Sequence, residues 1–314
     1  MISISAIICT HNPRGDYLQR VLDALKAQTL PKEQWELLLV DNVSKEKLSG
    51  FWDLSWHPDA RHVREEELGL TAARLRGIAE AKGGLLVFID DDNVLAPDYL
   101  ERAAAIPRSY SHIGVFGAGS MEPEFEEEPE PVVRGWLGML ALRSLSRPTW
   151  SNNVADYFCT PCGAGLCVPR RFAALYSQFV RELGTSKVLD RRGEDLFCGG
   201  DDLFSWLSVG SDTGFGIFPE LRITHLISAG RVQQDYLVRL VYGHNFSFGV
   251  LRYMVNGTNP RPATALGRLR IIAHGLTNAW FEVRCQWAES RGAADATQFI
   301  SKQRLQPLKI LTSP

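Results

Sequence analysis

The sequence has no long hydrophobic run, and this absence excludes a membrane-spanning helix. Its apolar runs are short, such as Leu37–Val40 and Leu85–Ile89, whereas crossing a bilayer takes about 20 residues. The start of the chain has no basic segment ahead of an apolar one, so it does not resemble a secretory signal peptide. We therefore expect a cytoplasmic protein.

The sequence also lacks an excess of charge of either sign. It has 34 Lys and Arg residues against 36 Asp and Glu residues, a formal net charge of -2. This balance argues against a bulk electrostatic hold on nucleic acid. Apolar residues make up 45% and charged residues 22% of the 314 residues. These proportions are typical of globular proteins and exclude a disordered chain.

Cysteine is scarce, and its spacing is irregular. Six cysteines in a chain of this length do not resemble the framework of a small disulfide-stabilised secreted protein. Cys159, Cys162 and Cys167, with Cys198 as a fourth ligand, invite a zinc interpretation, but they lack the usual paired spacing. We expect small buried thiols instead.

Several nucleotide-binding and hydrolase motifs are missing as well. No GxxxxGK[ST] loop or GxSxG elbow occurs, which disfavours P-loop and α/β-hydrolase proteins. The glycines of Gly114–Gly119 do not follow the first predicted strand, where a dinucleotide-binding fingerprint belongs.

What the first hundred residues do contain is an alternation of strand and helix patterns. Apolar positions at helical spacing, followed by breaks at Pro31 and Gly83, separate short apolar runs. An alternating order of this kind predicts a parallel sheet with right-handed crossovers. The predicted strands are Ser3–Cys9, Trp35–Val40, Arg61–Arg64 and Leu85–Ile89, and the predicted helices run from Leu18 to about Gln28 and over Gly69–Lys82.

The rest of the chain divides into three parts. The acidic, Pro-rich stretch Glu122–Pro131 predicts a solvated loop, with a lid over the site as the alternative. Phe215–Thr224 predicts one or two strands. Beyond Gly230, apolar residues at helical spacing predict a C-terminal helical appendage; they are Leu269, Ile272, Leu276, Trp280, Val283 and Trp287. We expect a catalytic domain over residues 1–230 and a helical extension over residues 231–314, which packs on that domain or contacts a membrane peripherally.

Polar residues follow three of the predicted strands. Thr10, Asp41 and the run Asp90-Asp91-Asp92 each lie just past a strand's carboxyl end, the edge at which open α/β sheets bind ligands. Three adjacent carboxylates repel one another, and a structure that holds them together usually supplies a cation. Mg²⁺ or Mn²⁺ suits such oxygen ligands, while a solvated turn is the alternative.

Two further features each have both a chemical and a structural interpretation. A carboxylate of the acidic pair Asp201-Asp202 can serve as a general base for an acceptor hydroxyl, but helix capping is the favoured interpretation of the pair on its own. His225 follows a strand-like segment, where it can complete a metal site or make a structural hydrogen bond.

Taken together, these segments resemble the family 2 glycosyltransferases. The matching segments occur in the family's order and cover about residues 3 to 250. They are IICTHN (Ile7–Asn12), LLLVDN (Leu37–Asn42), GLTAARLRGI (Gly69–Ile78), VFIDDDN (Val87–Asn93), GAGLCVPR (Gly163–Arg170), GGDDL (Gly199–Leu203) and ITHL (Ile223–Leu226). The resemblance implies the GT-A fold, a Rossmann-like, mostly parallel sheet flanked by helices.

The resemblance also implies roles for individual residues. Thr10, Asp41, Arg74, Asp90 and Asp91 are expected to bind the nucleotide sugar, with Asp41 accepting a hydrogen bond from the base. The metal is expected to contact Asp92 directly, with Asp91 and His225 as further ligands. Asp202 is the expected general base, and Asp201 precedes it in the catalytic pair.

The chain departs from the family pattern at two points. Leu75 follows Arg74 where the family often has Asn, and the usual Glu-Asp pair is Asp201-Asp202. A second candidate pair, Glu194-Asp195, lies upstream, although its distance from Phe218–His225 fits the family spacing less well.

The function that the resemblance implies is an inverting, metal-dependent sugar transfer. The donor is expected to be a nucleoside-diphosphate sugar, a UDP-sugar above all, and the acceptor a hydroxyl of a glycan or lipid-linked glycan, as in polysaccharide biosynthesis. The alternatives are a nucleotidyltransferase that forms sugar nucleotides and a non-catalytic protein that binds them. A nucleotidyltransferase needs a Gly-rich, Arg-containing loop after the first strand, which Thr10–Asp16 does not resemble.

Overall fold

The protein is described from a computed structural model. The model describes residues 2–183, 190–192, 195–197, 200–264, 267 and 280–307. The chain separates into two compact units. The first contains Met1–Glu124, Ala141–Lys187 and Asp201–Leu226, and the second contains Phe125–Leu140, Val188–Gly200 and Ile227–Pro314.

Strands and helices are numbered in chain order. The strands are β1 (Ile4–Thr10), β2 (Trp35–Asn42), β3 (Ala60–Glu65), β4 (Leu85–Ile89), β5 (Asn93–Leu95), β6 (Ile113–Phe125), β7 (Arg143–Ser144), β8 (Thr149–Ser151), β9 (Leu166–Pro169), β10 (Arg191–Arg192), β11 (Asp195–Leu196) and β12 (Gly214–Ile227). The helices are α1 (Gly15–Lys26), α2 (Leu70–Glu80), α3 (Tyr99–Ser109), α4 (Arg170–Leu183), α5 (Gly200–Val209), α6 (Gln234–Asn256) and α7 (Trp280–Gln303).

The first half of the main sheet is parallel, as the sequence predicts. Its strands lie in the order β3-β2-β1-β4, and Ile4 of β1 pairs with Trp35 of β2 and Leu85 of β4. Strands β2 and β4 are buried along their whole length, because helices cover both faces of a parallel sheet. This explains why they read as continuous apolar runs rather than as alternating patterns.

The second half of the sheet is mixed. The order continues from β4 through β9, β6 and β12 to β5, with antiparallel pairing between β4 and β9, between β9 and β6 and between β12 and β5. The α/β class is therefore confirmed, while the purely parallel pairing stops at β4, because β9 is antiparallel to both of its neighbours. The segment predicted as one or two strands forms the single strand β12.

The prediction of a loop over Glu122–Pro131 is wrong for its first four residues. Strand β6 continues to Phe125, because Ser120 and Met121 pair with Ser144 and Arg143 of β7 and so extend the strand beyond the core. Residues Glu122–Glu124 of this extension are exposed, which is why an acidic, Pro-containing sequence is compatible with it.

Helix α1 shows how the apolar pattern positions the edge of the sheet. Its buried residues are Leu18, Val21, Leu22 and Leu25, the i, i+3, i+4, i+7 stripe that a helix presents to a core. They join the same hydrophobic cluster as β1, β2 and β4. The helix thereby fixes the loop that leads out of β1.

In the second unit, helices α6 and α7 pack against each other. The Tyr242 hydroxyl donates a hydrogen bond of 2.9 Å to Asp295, and Arg284 pairs with Asp235 at 2.5 Å. The predicted positions Leu269, Ile272 and Leu276 lie outside the described residues. Among the helices that the structure describes, none combines the length and the apolar stretch needed to cross a membrane.

The buried carboxylate of Glu36 generates a first prediction. Its side chain is fully buried in β2 and accepts hydrogen bonds from the Ser5 hydroxyl at 2.6 Å, from Arg61 at 3.1 Å and from the Lys82 backbone amide. Glu36→Ala leaves these donors without their acceptor. We expect it to lower the free energy of unfolding by about 3 kcal/mol, measured by urea denaturation.

The matched control is Glu33→Ala, which removes an exposed carboxylate three residues earlier. It should change the free energy of unfolding by less than about 0.5 kcal/mol. Equal stability of the two variants would contradict the role assigned to Glu36.

Candidate active site

The ends of β1 and β4 bring Thr10 and the acidic run together. The two strands are parallel neighbours, so the residues that follow them emerge at the same edge of the sheet. The Thr10 hydroxyl donates a hydrogen bond to the Asp91 carboxylate. The run itself forms a turn, in which the Asn93 amide donates to the Asp90 carbonyl at 3.1 Å.

The same turn brings Asp92 to His225. Strand β5 follows the run and pairs antiparallel with β12, with Asn93 opposite His225. The Nε2 atom of the buried His225 lies 3.5 Å from Oδ2 of Asp92. The Leu226 amide donates to the Asp92 carbonyl at 2.9 Å. Backbone pairing therefore fixes an imidazole beside a carboxylate.

The buried Arg74 of α2 pairs with Asp201 at the start of α5. Burial lowers the pKa of the Arg74 guanidinium, but Asp201, Tyr176, Asp90 and Cys9 together outweigh burial, so the pKa lies above its ordinary value. The other Asp201 oxygen accepts a hydrogen bond of 2.9 Å from the Gly163 amide. A Cβ at Gly163 would lie 2.4 Å from Nη2 of Arg74, so only glycine allows this approach.

Asp202 has the electrostatic environment of a general base. Burial, together with the neighbouring Asp201 carboxylate, raises its pKa from 3.8 to about 7, and Arg143 offsets part of this rise. A base is most effective when its pKa lies near the working pH. In this pair, Arg74 therefore holds the Asp201 carboxylate in place, whereas the Asp202 carboxylate can exchange a proton.

Arg143 is a residue that our reading of the sequence missed. It belongs to the two-residue strand β7 and donates a hydrogen bond of 3.1 Å to the Thr160 carbonyl. Its position beside Asp202 follows from the pairing of β7 with β6, which no local sequence pattern indicates.

Asp41 is held by three donors. Its carboxylate accepts hydrogen bonds from the Ser44 amide at 3.0 Å, from the Leu48 amide at 3.2 Å and from Arg64 at 2.7 Å. Burial raises the pKa of Asp41, but these hydrogen bonds outweigh burial and hold the pKa below its ordinary value. Asp41 is therefore a fixed anion at the end of β2, and its expected contact with a base stays a prediction.

Asn42, which follows Asp41, links β2 to the start of α2. Its side-chain amide donates to the Glu67 carbonyl at 2.6 Å, and its side-chain oxygen accepts from the Gly69 amide at 2.8 Å. These bonds fix the start of the helix that carries Arg74. Asn42 ends the segment LLLVDN, but the sequence alone does not indicate this role.

The donor set at this edge fits a hard divalent cation. Asp92 and His225 offer a carboxylate oxygen and an imidazole nitrogen 3.5 Å apart, and Asp91 lies next to Asp92. Mg²⁺ and Mn²⁺ are commonly held by one or two protein groups, with substrate phosphates and waters as the other ligands. Within the described ranges, no group of three or more His, Cys, Asp or Glu side chains is placed to hold a metal.

Two alternatives fall partly outside the described residues. Cys159, Cys162 and Cys167 are free thiols, while Cys198 lies in an undescribed gap. Glu194, of the second candidate pair, lies in another such gap.

Comparison with known proteins assigns the N-terminal part of the chain. Residues 5–137 match the model of the family described as Glycosyl transferase family 2. Over these residues the chain is similar to glycosyltransferase family 2. The expected resemblance to the family is confirmed, and the sheet with its helices is of the expected α/β class.

Two curated proteins illustrate this relationship. Glycosyltransferase AglE from Haloferax volcanii is 30% identical over 105 residues, which is 32% of this chain and 34% of that protein. The putative glycosyltransferase EpsH from Bacillus subtilis is 28% identical over 102 residues, 32% of this chain and 29% of that protein. The matched part therefore spans about a third of each relative.

Among solved structures, the chain is similar to residues 1–349 of TarS from S. aureus. The identity is 13% and the TM-score 0.47, and the alignment covers 96% of this chain and 92% of that one. Structures of the same TarS fragment are described as complexes with UDP and with UDP-GlcNAc, at TM-scores of 0.46 and 0.48.

The raised pKa of Asp202 predicts a pH-dependent effect on stability. Between pH 4 and pH 7 the unfolded chain has lost a proton that the folded chain still holds, so the free energy of unfolding falls as pH rises through this window. Asparagine resembles the protonated side chain. We therefore expect Asp202→Asn to be more stable than the wild type at pH 8, with a smaller difference at pH 5, measured by urea denaturation at both values.

The control is Asp23→Asn, at an exposed carboxylate on α1, which should differ from the wild type by less than about 0.5 kcal/mol. A destabilised Asp202→Asn protein at pH 8 would contradict the environment described for Asp202.

Proposed function

We propose that this protein is an inverting glycosyltransferase. It transfers a sugar from a nucleoside-diphosphate donor, a UDP-sugar above all, to a hydroxyl of a glycan or lipid-linked glycan. The match of residues 5–137 to the family 2 model supports transfer of a sugar, and the descriptions of TarS complexes name UDP and UDP-GlcNAc as ligands of that protein. A role in polysaccharide biosynthesis at the cytoplasmic face of a membrane follows from such an acceptor.

The observation that carries the proposal is the meeting of Asp92 with His225. These residues are 133 positions apart, and each belongs to a different family segment. Strand β5 brings them together at the edge where Thr10 contacts Asp91. We expect polar residues from distant parts of the chain to meet in this way at a ligand-binding site. The fold itself does not evidently require this pair.

On the donor side, we assign Thr10, Asp41, Asp90 and Asp91 to the nucleotide and its ribose. Asp41 is anionic and fixed, so it can accept a hydrogen bond from a base without reorganising. Arg74 is committed to Asp201 and buried, so we assign it the role of positioning the acid pair beside the donor.

We assign the divalent metal to Asp92 and His225, with Asp91 beside them. When bound, Mn²⁺ or Mg²⁺ neutralises charge on the diphosphate leaving group. Asp92 and His225, whose facing atoms lie 3.5 Å apart, would hold such an ion.

On the acceptor side, Asp202 removes the proton from the attacking hydroxyl. The oxygen then forms a bond to the anomeric carbon as the bond from that carbon to the diphosphate oxygen breaks. The diphosphate leaves with the bonding electrons, and the configuration inverts because attack comes from the opposite face. Asp202 can accept this proton near neutral pH because its pKa is about 7.

A donor screen followed by product analysis tests the function. Thermal shift with UDP-, GDP- and dTDP-sugars, each with and without Mn²⁺, identifies the donor, since a ligand that binds the folded state raises stability. Release of a nucleoside diphosphate supports glycosyl transfer, whereas pyrophosphate release indicates a nucleotidyltransferase. Binding without turnover on any acceptor indicates a non-catalytic protein.

The first kinetic prediction concerns Asp202→Asn. A positioned base contributes about 10² to 10⁴-fold to the rate, so we expect a loss of that size in kcat with nearly unchanged affinity for UDP. In the wild type, kcat should rise with pH through about 7, because only the ionised carboxylate accepts a proton.

Asp23→Asn again serves as the control and should retain the wild-type rate and pH profile. If Asp202→Asn turns over at the wild-type rate, the base lies elsewhere and Asp195 becomes the next candidate.

The second kinetic prediction concerns Asp92→Ala. Asp92 would help to hold the ion, so its removal should abolish the increase in UDP affinity that we expect Mn²⁺ to give the wild type. Isothermal titration calorimetry with and without Mn²⁺ measures this difference.

Asp98→Asn is the control, since Asp98 contacts Arg102 and Arg222 near the same edge and belongs to no assigned site. An Mn²⁺-dependent affinity in Asp92→Ala equal to the wild type would remove Asp92 from the metal site.

A further inference from the structure

The segment from Arg143 to Thr160 begins and ends at nearly the same point, and its middle forms β8, which pairs with β12. Its two ends are joined by the hydrogen bond of 3.1 Å from Arg143 to the Thr160 carbonyl. Arg143 influences the charge on Asp202, and Gly163, three residues beyond Thr160, donates to Asp201. The segment is therefore anchored beside the candidate base at both ends.

The outer part of this segment exposes three large aromatic side chains. Trp150 is 48%, Tyr157 47% and Phe158 66% exposed. We call these three residues the aromatic surface. Exposed aromatic rings that cluster on the surface of a domain typically mark a binding site. We therefore interpret the aromatic surface as a binding site.

Trp150 forms the wall shared by two clefts. One cleft, of about 530 Å³, is lined by Leu145–Trp150 and Phe158. The other, of about 550 Å³, includes His112, Asn152 and Thr213 with Trp150 in its lining. The indole packs edge-on against His112 at 4.7 Å between ring centroids, and the backbone of Trp150 pairs with Gly216 of β12. The ring is thus held in place and still open on both sides.

The composition of the clefts matches a carbohydrate better than a lipid chain. A pyranose ring has an apolar face of C–H groups, which stacks on aromatic rings, and a rim of hydroxyl groups, which need hydrogen-bonding partners. Asn152, Asp212 and Thr213 provide such partners in one cleft, and Ser146 and Arg147 in the other. A lipid chain cannot form hydrogen bonds with these polar groups, and the free-energy cost of desolvating them would oppose its binding.

We propose that the aromatic surface is a distal subsite for an oligosaccharide acceptor, an inference that rests on the proposed glycosyl transfer. Six residues lie between Arg143 and Trp150, so these two residues lie at most about 25 Å apart. An oligosaccharide can bridge a separation of up to this length, with its reacting hydroxyl near Asp202 and a further unit stacked on Trp150. We therefore expect the acceptor to be an oligosaccharide that contacts both positions.

The test is a binding experiment with defined oligosaccharides, so it does not require the natural acceptor. The full chain is applied to an array of gluco-, chito- and manno-oligosaccharides of one to eight units, and each series bound is titrated in solution by calorimetry. In the wild type, we expect the affinity for at least one series to increase with the number of units.

Three variants locate the binding. Trp150→Ala and Phe158→Ala should each weaken binding of the longest oligosaccharide at least tenfold, and Trp150→Phe should retain most of the affinity because it keeps a ring. The matched control is Phe51→Ala, at a ring that is also 66% exposed but lies in the segment between β2 and β3. It should bind like the wild type, and thermal melting checks that each variant is folded.

The proposal is overturned if no series binds, if short and long oligosaccharides bind equally, or if Phe51→Ala loses as much affinity as Phe158→Ala. Trp150-dependent binding to phosphatidylglycerol vesicles without oligosaccharide binding overturns it in favour of a lipid. UDP affinity, measured on the same samples, reports separately on the proposed function. Normal UDP binding with no oligosaccharide binding removes only the distal subsite, whereas the reverse result removes the proposed donor chemistry.

Discussion

The ion pair between Arg74 and Asp201 is the constraint on which the candidate site depends. A buried guanidinium needs an anion, because an unpaired charge in the interior is strongly destabilising. The requirement ties α2, which follows β3, to α5, which lies 127 positions later in the chain. Gly163 completes the arrangement by donating to the same carboxylate. One electrostatic need therefore joins three separate stretches of sequence next to Asp202.

The acidic run depends on a different constraint, the antiparallel addition of β5 to β12. This pairing holds both ends of the turn that contains Asp90, Asp91 and Asp92, since β4 precedes the turn and β5 follows it. The carboxylates cannot separate by a movement of the backbone without breaking strand pairing. Their mutual repulsion is therefore relieved by partners, among which the structure provides the Thr10 hydroxyl and the His225 imidazole.

Much of this arrangement could be predicted from the sequence, because it is determined by short, continuous segments of the chain. Strands β1, β2 and β4 are apolar runs whose ends carry polar residues, so the parallel half and its functional edge follow from pattern alone. The mixed half of the sheet, beyond β4, could not be found in this way. Strand β6 contains three glycines and an exposed acidic end, and β7 has only two residues, so their pairing depends on distant contacts. For the same reason the sequence indicated Asp202 but gave no sign that Arg143 lies beside it. The predicted domain boundary at residue 230 stays a prediction.

The hydrogen bond between Arg143 and Thr160 has a consequence for how such a chain can diversify. It closes the base of a segment whose middle, β8, pairs with β12, and the entropic cost of a closed loop grows only slowly with its length. Residues can therefore be inserted, deleted or exchanged on either side of β8 at little cost to folding, while the geometry around the acid pair is preserved. Selection can therefore change the exposed part of the segment and the acid pair beside its base nearly independently of each other.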